Sequence, residues 1–167
     1  MTNGTILRVL AVAPMSTHVG FAVLERPDRL IDWGTKWTRR ADNERTVRAI
    51  GNLLDRFEPD ILALEDWKAP GSRRCTRVKA LLARVATEEG KRATVRLVSL
   101  AEIRLIGPSA ATVTKHARAR FLAEQFPELH RFLPRFRKIW MSQNPKMAIF
   151  DALSFALVCF PGNLKIH

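Results

Sequence analysis

Three carboxylates stand where their neighbours give them no ordinary reason to be. Glu65 ends the apolar run "ILALE", Asp66 follows it, and Asp151 interrupts the apolar segment "MAIFDALSFALV". A charge among apolar residues must face a polar opening or find a partner, because burying it alone is strongly unfavourable. Carboxylate oxygens are hard ligands that suit Mg2+ and Mn2+. Phosphodiester hydrolysis by two such ions needs several of them around the attacking water and the leaving oxygen. In a mixed sheet these groups gather at strand ends and at the termini of facing helices. Glu65 fits a metal ligand, a solvated strand end or a buried salt bridge. Asp66 points to the other side of its strand, so turn capping or a surface ion pair competes with a catalytic role. Asp151 fits a site role or a structural hydrogen bond. A third strand end, "VLAVA", closes on Ala13 and offers no oxygen.

The charge distribution points to a polyanion. The chain carries 28 Lys and Arg against 16 Asp and Glu, a net charge of +12. Residues 1–67 hold 9 basic and 10 acidic residues, whereas residues 68–120 hold 13 basic and 3 acidic. Residues 131–146 add five basic groups and no acid. Such segregation is an electrostatic footprint for nucleic acid, with a merely solvated basic face as the bland alternative. The candidate phosphate contacts are Arg73, Arg74, Arg77 and Lys79, which with Arg84 are assigned to one helical region, then Lys115 and Arg118 with Arg120 beside them. Lys138 and Lys146 flank the approach to Asp151. Guanidinium groups match two phosphate oxygens at once. The aromatic residues Trp33, Trp37, Trp67, Phe132, Phe136 and Trp140 are expected in packing rather than in base stacking.

The elements that must position these groups follow from periodicity. Alternation predicts strands over 6–13, 19–25 and 30–38, joined by short turns, with His18 in a turn or on the surface. The pattern then turns helical over "DNERTVRAIGNLLDRFEP", capped by Asp42 or Asn43 and stopped at Pro59. A strand over 60–64, a helix over "CTRVKALLARVATEEG" ending at Gly90 and a strand over 93–99 come next. Ser99 and Glu102 form a capping box for a short helix through Ile106. Helices over 111–126 and 144–160 complete the chain, with 107–111 as a connector. The expected architecture is α/β, a mixed five-stranded sheet flanked by helices. At 167 residues the chain fits one domain over 1–167.

The order of these motifs resembles the RuvC-like Holliday junction resolvases, within the RNase H-like nuclease superfamily. That family opens on a hydrophobic strand, an "Asp-Pro-Gly-Ser" turn and a glycine on the next strand. The match is "VAPMSTHVG", with Ala13 in the place of the catalytic aspartate and Met15 in the place of the turn glycine. "LALEDW" matches the strand that ends in a catalytic glutamate, which puts that role on Glu65. "FDALSFAL" matches the late aspartate, which puts its role on Asp151. Ala148 stands where the family often has another acid, and Gln143 where some relatives have one. The resemblance spans residues 6–160. It implies an Mg2+-dependent (or Mn2+-dependent) endodeoxyribonuclease acting on branched DNA as a homodimer, with Glu65 and Asp151 as metal ligands. Alanine at position 13 supplies neither charge nor oxygen, so metal binding and hydrolysis are expected to be weak or absent. Ala13 fits natural divergence or a single inactivating substitution; Met15 and Gln143 depart as well, which favours divergence.

Other classes weigh less. No run of 18 apolar residues offers a membrane span. The first residues lack a signal-peptide layout. Cys75 and Cys159 match no zinc or paired-thiol spacing, and both are expected as plain thiols in a reducing cytoplasm. Two alternatives to a nuclease remain: a non-catalytic nucleic-acid-binding pseudonuclease, or a partner-binding or nucleotide-binding module on the same fold. The histidine His18 is a poor substitute ligand, since imidazole nitrogen suits Mg2+ less well than carboxylate does.

Overall fold

The structure is a computed structural model that describes residues 6–107, 114–135 and 144–160. Strands β1 (Val9–Pro14), β2 (His18–Arg26) and β3 (Arg29–Trp37) form an antiparallel meander. Helix α1 (Asn43–Phe57) leads to β4 (Ile61–Glu65), and α2 (Thr76–Glu89) leads to β5 (Thr94–Val98). β4 pairs parallel with β1, and β5 parallel with β4, so the sheet order is β3-β2-β1-β4-β5. This is the mixed five-stranded sheet expected from the alternation, with β1 at its centre.

Local signals account for most boundaries. The Asp42 side chain accepts a hydrogen bond from the Arg45 N–H and caps α1. Glu58, in a left-handed conformation with φ 45°, ends that helix by returning its N–H to the Leu54 carbonyl. Ser99 and Glu102 form the expected capping box at α3, which is shorter than predicted, Leu100–Ile103. Helix α4 covers Lys115–Gln125, a 3-10 turn covers Pro127–Phe132, and α5 covers Met147–Val158. Of the expected connector at 107–111 only Gly107 is described. Lys138, Gln143, Phe136 and Trp140 lie outside the described residues.

Strand alternation divides the core between two helical layers. Leu10, Val12, Leu62 and Leu64 face α1 and α2, where Ile50, Leu53, Leu81 and Val85 meet them. Val9, Ala11, Ala13, Ala22 and Ala63 face α4 and α5. The second set is mostly alanine, and the small side chains let α5 lie close on the sheet. At Gly20 a Cβ would come within 2.3 Å of the Ala148 backbone, so only glycine admits the helix there. Met147 to Leu157 are all buried, which marks α5 as an internal helix.

Three expectations are corrected here. His18 begins β2 and is buried, with its ring 5.3 Å from that of Trp37, because the β1–β2 connection spans only Met15 to Thr17. Arg73 and Arg74 precede α2, which starts at Thr76 after a turn through Pro70 and Gly71 (φ 88°), and so lie off the helix. Arg84 does sit on α2, but it is held by Glu44 and Glu88.

Candidate functional site

β1 and β4 are adjacent parallel strands, and two of the three candidate positions lie towards their C-terminal ends. Ala11 pairs with Ala63, the last pair of that ladder, and Ala13 and Glu65 each follow two residues further on. Alternation from Ala63 puts Glu65 on the sheet face covered by α5, the face that Ala13 shares. Asp151 lies on α5 itself, over that face. Ala13 and Glu65 therefore share the sheet face that α5, the helix of Asp151, covers. Ala13 is fully buried, next to Gly20 in the β1–β2 ladder, and Ala148 packs on that glycine. The methyl groups of Ala13 and Ala148 close this wall.

The two remaining acids are both answered by cations of the chain. Glu65 is 7 % exposed, and one of its oxygens accepts a 2.7 Å hydrogen bond from the Arg74 Nε. The same guanidinium donates to the Met15 sulfur at 3.6 Å. Arg74 thus bridges the end of β4 and the turn after β1. Removing it alone would strand a buried carboxylate, a loss on the order of 3 kcal/mol. Asp151 is 6 % exposed and accepts from the Lys115 Nζ at 3.2 Å. Lys115 reaches it from the first turn of α4, whose start is capped by Thr114.

Arg118, one turn further along α4, corrects the expectation of a phosphate-facing side chain. It is 7 % exposed, on the side of α4 that carries Phe121 and Leu122 into the core. Burial lowers its pKa, Asp151 opposes that, and Arg104 adds to it. Its charge is an internal counterpart to Asp151. Asp66 turns away from the site: its carboxylate accepts from the Lys68 N–H and closes the turn after β4.

Arg74 also joins a cleft of about 550 Å³. Arg73, Arg74 and Arg77 line it with Met15, Ser16 and Cys75, and no carboxylate stands among its described lining residues. Arg77 is oriented by Asn43, whose Oδ1 accepts from it at 2.7 Å. Cys75 precedes α2, and its thiol pKa is lowered mainly by the Val78 N–H, with further help from the Arg77 N–H and charge. The cleft thus favours negative charge. Lys79 is half-buried on α2, and Lys146 is exposed at the start of α5, 5.9 Å above the Phe132 ring. Trp67 packs against the α1–α2 side of the core and Trp33 meets Phe132 edge-on, while Trp37 is 68 % exposed.

This donor set does not fit a pair of Mg2+ ions. Ala13 and Ala148 have no oxygen to give, and the nearest carboxylates already hold Arg74 and Lys115. Among the described residues no three His, Cys, Asp or Glu side chains are grouped to hold a metal ion. What the arrangement can do is bind an anion.

A sheet ordered β3-β2-β1-β4-β5, antiparallel then parallel and covered by helices, defines an RNase H-like α/β protein. The chain is similar to RuvC of Thermus thermophilus at 17% identity and a TM-score of 0.57, over 91% of this chain and 92% of that one. The same protein in complex with its Holliday junction substrate gives 18% identity and a TM-score of 0.62, over 91% of each chain. No family model matches the sequence, and no curated protein matches it. Among the described residues no helix is long and apolar enough to cross a membrane.

Sequence reading missed the Glu65–Arg74 and Asp151–Lys115 pairs. Arg74 lies nine residues after Glu65, beyond a Pro-Gly turn that could have flagged a returning loop. Lys115 and Asp151 are 36 residues apart, with no local signal to join them.

Proposed function

We propose that this chain binds branched or duplex DNA as a divergent RuvC-like protein whose metal-dependent phosphodiester hydrolysis is impaired at Ala13. One observation carries the reading: Ala13 and Glu65 each stand two residues past the last pair of two adjacent parallel strands, on the sheet face that the helix of Asp151 covers, and Ala13 brings no side-chain oxygen there. The basic cleft beside these strand ends supports binding, with Arg73, Arg74 and Arg77 against phosphates and Lys79, Lys138 and Lys146 as further contacts. The Thermus thermophilus protein is seen with a four-way junction, which makes branched DNA the first substrate to try. Glu65 and Asp151 would be the ligands of any residual Mg2+ or Mn2+.

The test is a binding and cleavage assay on four-way junction, duplex and single-stranded DNA and on RNA, across a salt series. Neutralising several phosphates makes affinity fall steeply with salt. The expected result is salt-dependent binding with preference for the junction, and no cleavage with Mg2+ or Mn2+. Equal, salt-insensitive binding to every polyanion would remove the nucleic-acid reading. Robust cutting by the unaltered chain would remove the impairment.

A further inference from the structure

At the end of β4 the structure holds a guanidinium where the resemblance implies a metal ion. Arg74 touches the Glu65 carboxylate and the Met15 sulfur together, and its other face belongs to the arginine-lined cleft. Its side chain is 23% exposed, against 9% for that of Glu65, so the cation is the more solvent-accessible partner of the pair. A divalent ion at Glu65 would compete with it for the carboxylate. A phosphate entering the cleft meets Arg74 directly, already oriented by its acid. Arg73 and Arg77 stand in the same wall, and Arg77 is braced by Asn43. A planar guanidinium with one edge on Glu65 keeps other N–H groups for phosphate oxygens.

We infer that this cleft is a phosphodiester-binding site that works without divalent metal, with Arg74, fixed by Glu65, as its central cation. The inference rests on the reading that the chain binds DNA and adds how it does so. It also implies that an aspartate at position 13 is insufficient to rebuild a metal site, because Arg74 still occupies Glu65.

Two measurements test it. Fluorescence anisotropy with a labelled four-way junction, at matched ionic strength, compares EDTA with Mg2+. The expected dissociation constants agree within about twofold, while Arg74→Met weakens binding by roughly tenfold, the scale of a lost charged hydrogen bond. Because Arg74→Met leaves Glu65 alone, the double variant Glu65→Gln/Arg74→Met, neutral at both positions, must show the same weakening. Junction DNA should also slow iodoacetamide alkylation of Cys75, which lines the cleft, while the Cys159 thiol is pushed up to about 11 by burial. Separately, Mn2+ titration followed by electron paramagnetic resonance should show no tight binding to the unaltered chain or to Ala13→Asp. Tight Mn2+ uptake by either protein would overturn the inference, as would marked strengthening of junction binding by Mg2+. Unchanged affinity in the double variant, or unprotected Cys75, would also overturn it and leave DNA binding elsewhere on the surface. A chain that binds no nucleic acid at all overturns the functional reading itself.

Discussion

Burial of its imidazole ties the stability of this protein to pH at His18. Its ring sits under Trp37, with Nδ1 3.1 Å from the Thr17 hydroxyl. Burial lowers its pKa from 6.5, and a backbone contact with Pro145 only partly opposes that. The folded protein therefore takes up this proton less readily than the unfolded chain does. Above 6.5 both states are neutral and the group has no effect. As pH falls below 6.5 towards the lower folded value, the unfolded state gains the proton first and stability declines. The slope is at most about 1.4 kcal/mol per pH unit for one proton. Urea unfolding between pH 7.5 and about 5.5 should show this decline, and His18→Asn should flatten it. The carboxylates Glu44 and Glu102 are lowered by their arginine hydrogen bonds and titrate below this window.

Close approach of α5 to the sheet is the central packing event among the elements. Gly20 and the alanines of β1, β2 and β4 make room for it, and Gly20 is the tightest point. Gly20→Ala would drive a methyl group into the Ala148 backbone, which cannot yield without moving the helix. The expected cost is about 3 kcal/mol, the upper part of the range for overpacked cores. Gly34→Ala is the control, because its Cβ meets only the Phe21 ring edge at 3.1 Å. That side chain can shift, so the loss should be about 1 kcal/mol or less. Equal losses in chemical denaturation would mean that α5 is not seated as described. This packing was only half legible in sequence. The "MAIFDALSFALV" run announces a buried helix, but nothing local says that its Ala148 will land on a glycine 128 positions earlier.

Charge at the scale of the whole molecule is segregated as the sequence indicated. The excess after residue 67 is not all available to a ligand, however. Arg84, Arg92 and Arg96 are held by acids, Arg118 is buried, and Arg74 and Lys115 are bound to Glu65 and Asp151. Among the described residues, Arg73 and Arg77 line one cleft together with Arg74, whose guanidinium keeps N–H groups beyond the one it gives to Glu65. Under the proposed junction binding, equivalent strands about a twofold axis call for two such clefts related by symmetry. A homodimer is then the expected solution form. Sedimentation equilibrium at tens of micromolar should give a mass near twice 19.0 kDa, and a monomer both with and without junction DNA would count against it.

Periodicity and capping determined the elements by themselves: the alternating strands, the Asp42 cap and the Ser99–Glu102 box all act over a few residues. Composition determined the basic character, and the alanine at position 13 determined that the end of the first strand carries no carboxylate. Only the tertiary structure decided what answers the buried acids. Glu65 and Asp151 could each have faced solvent, metal or a counter-charge, and their neighbours in sequence are silent on the choice. The choice is made by a loop returning to the end of β4 and by α4 lying beside α5, contacts between segments distant in sequence. Charges separated along the chain have no preferred partner until packing excludes water from between them, and that exclusion is a property of the fold.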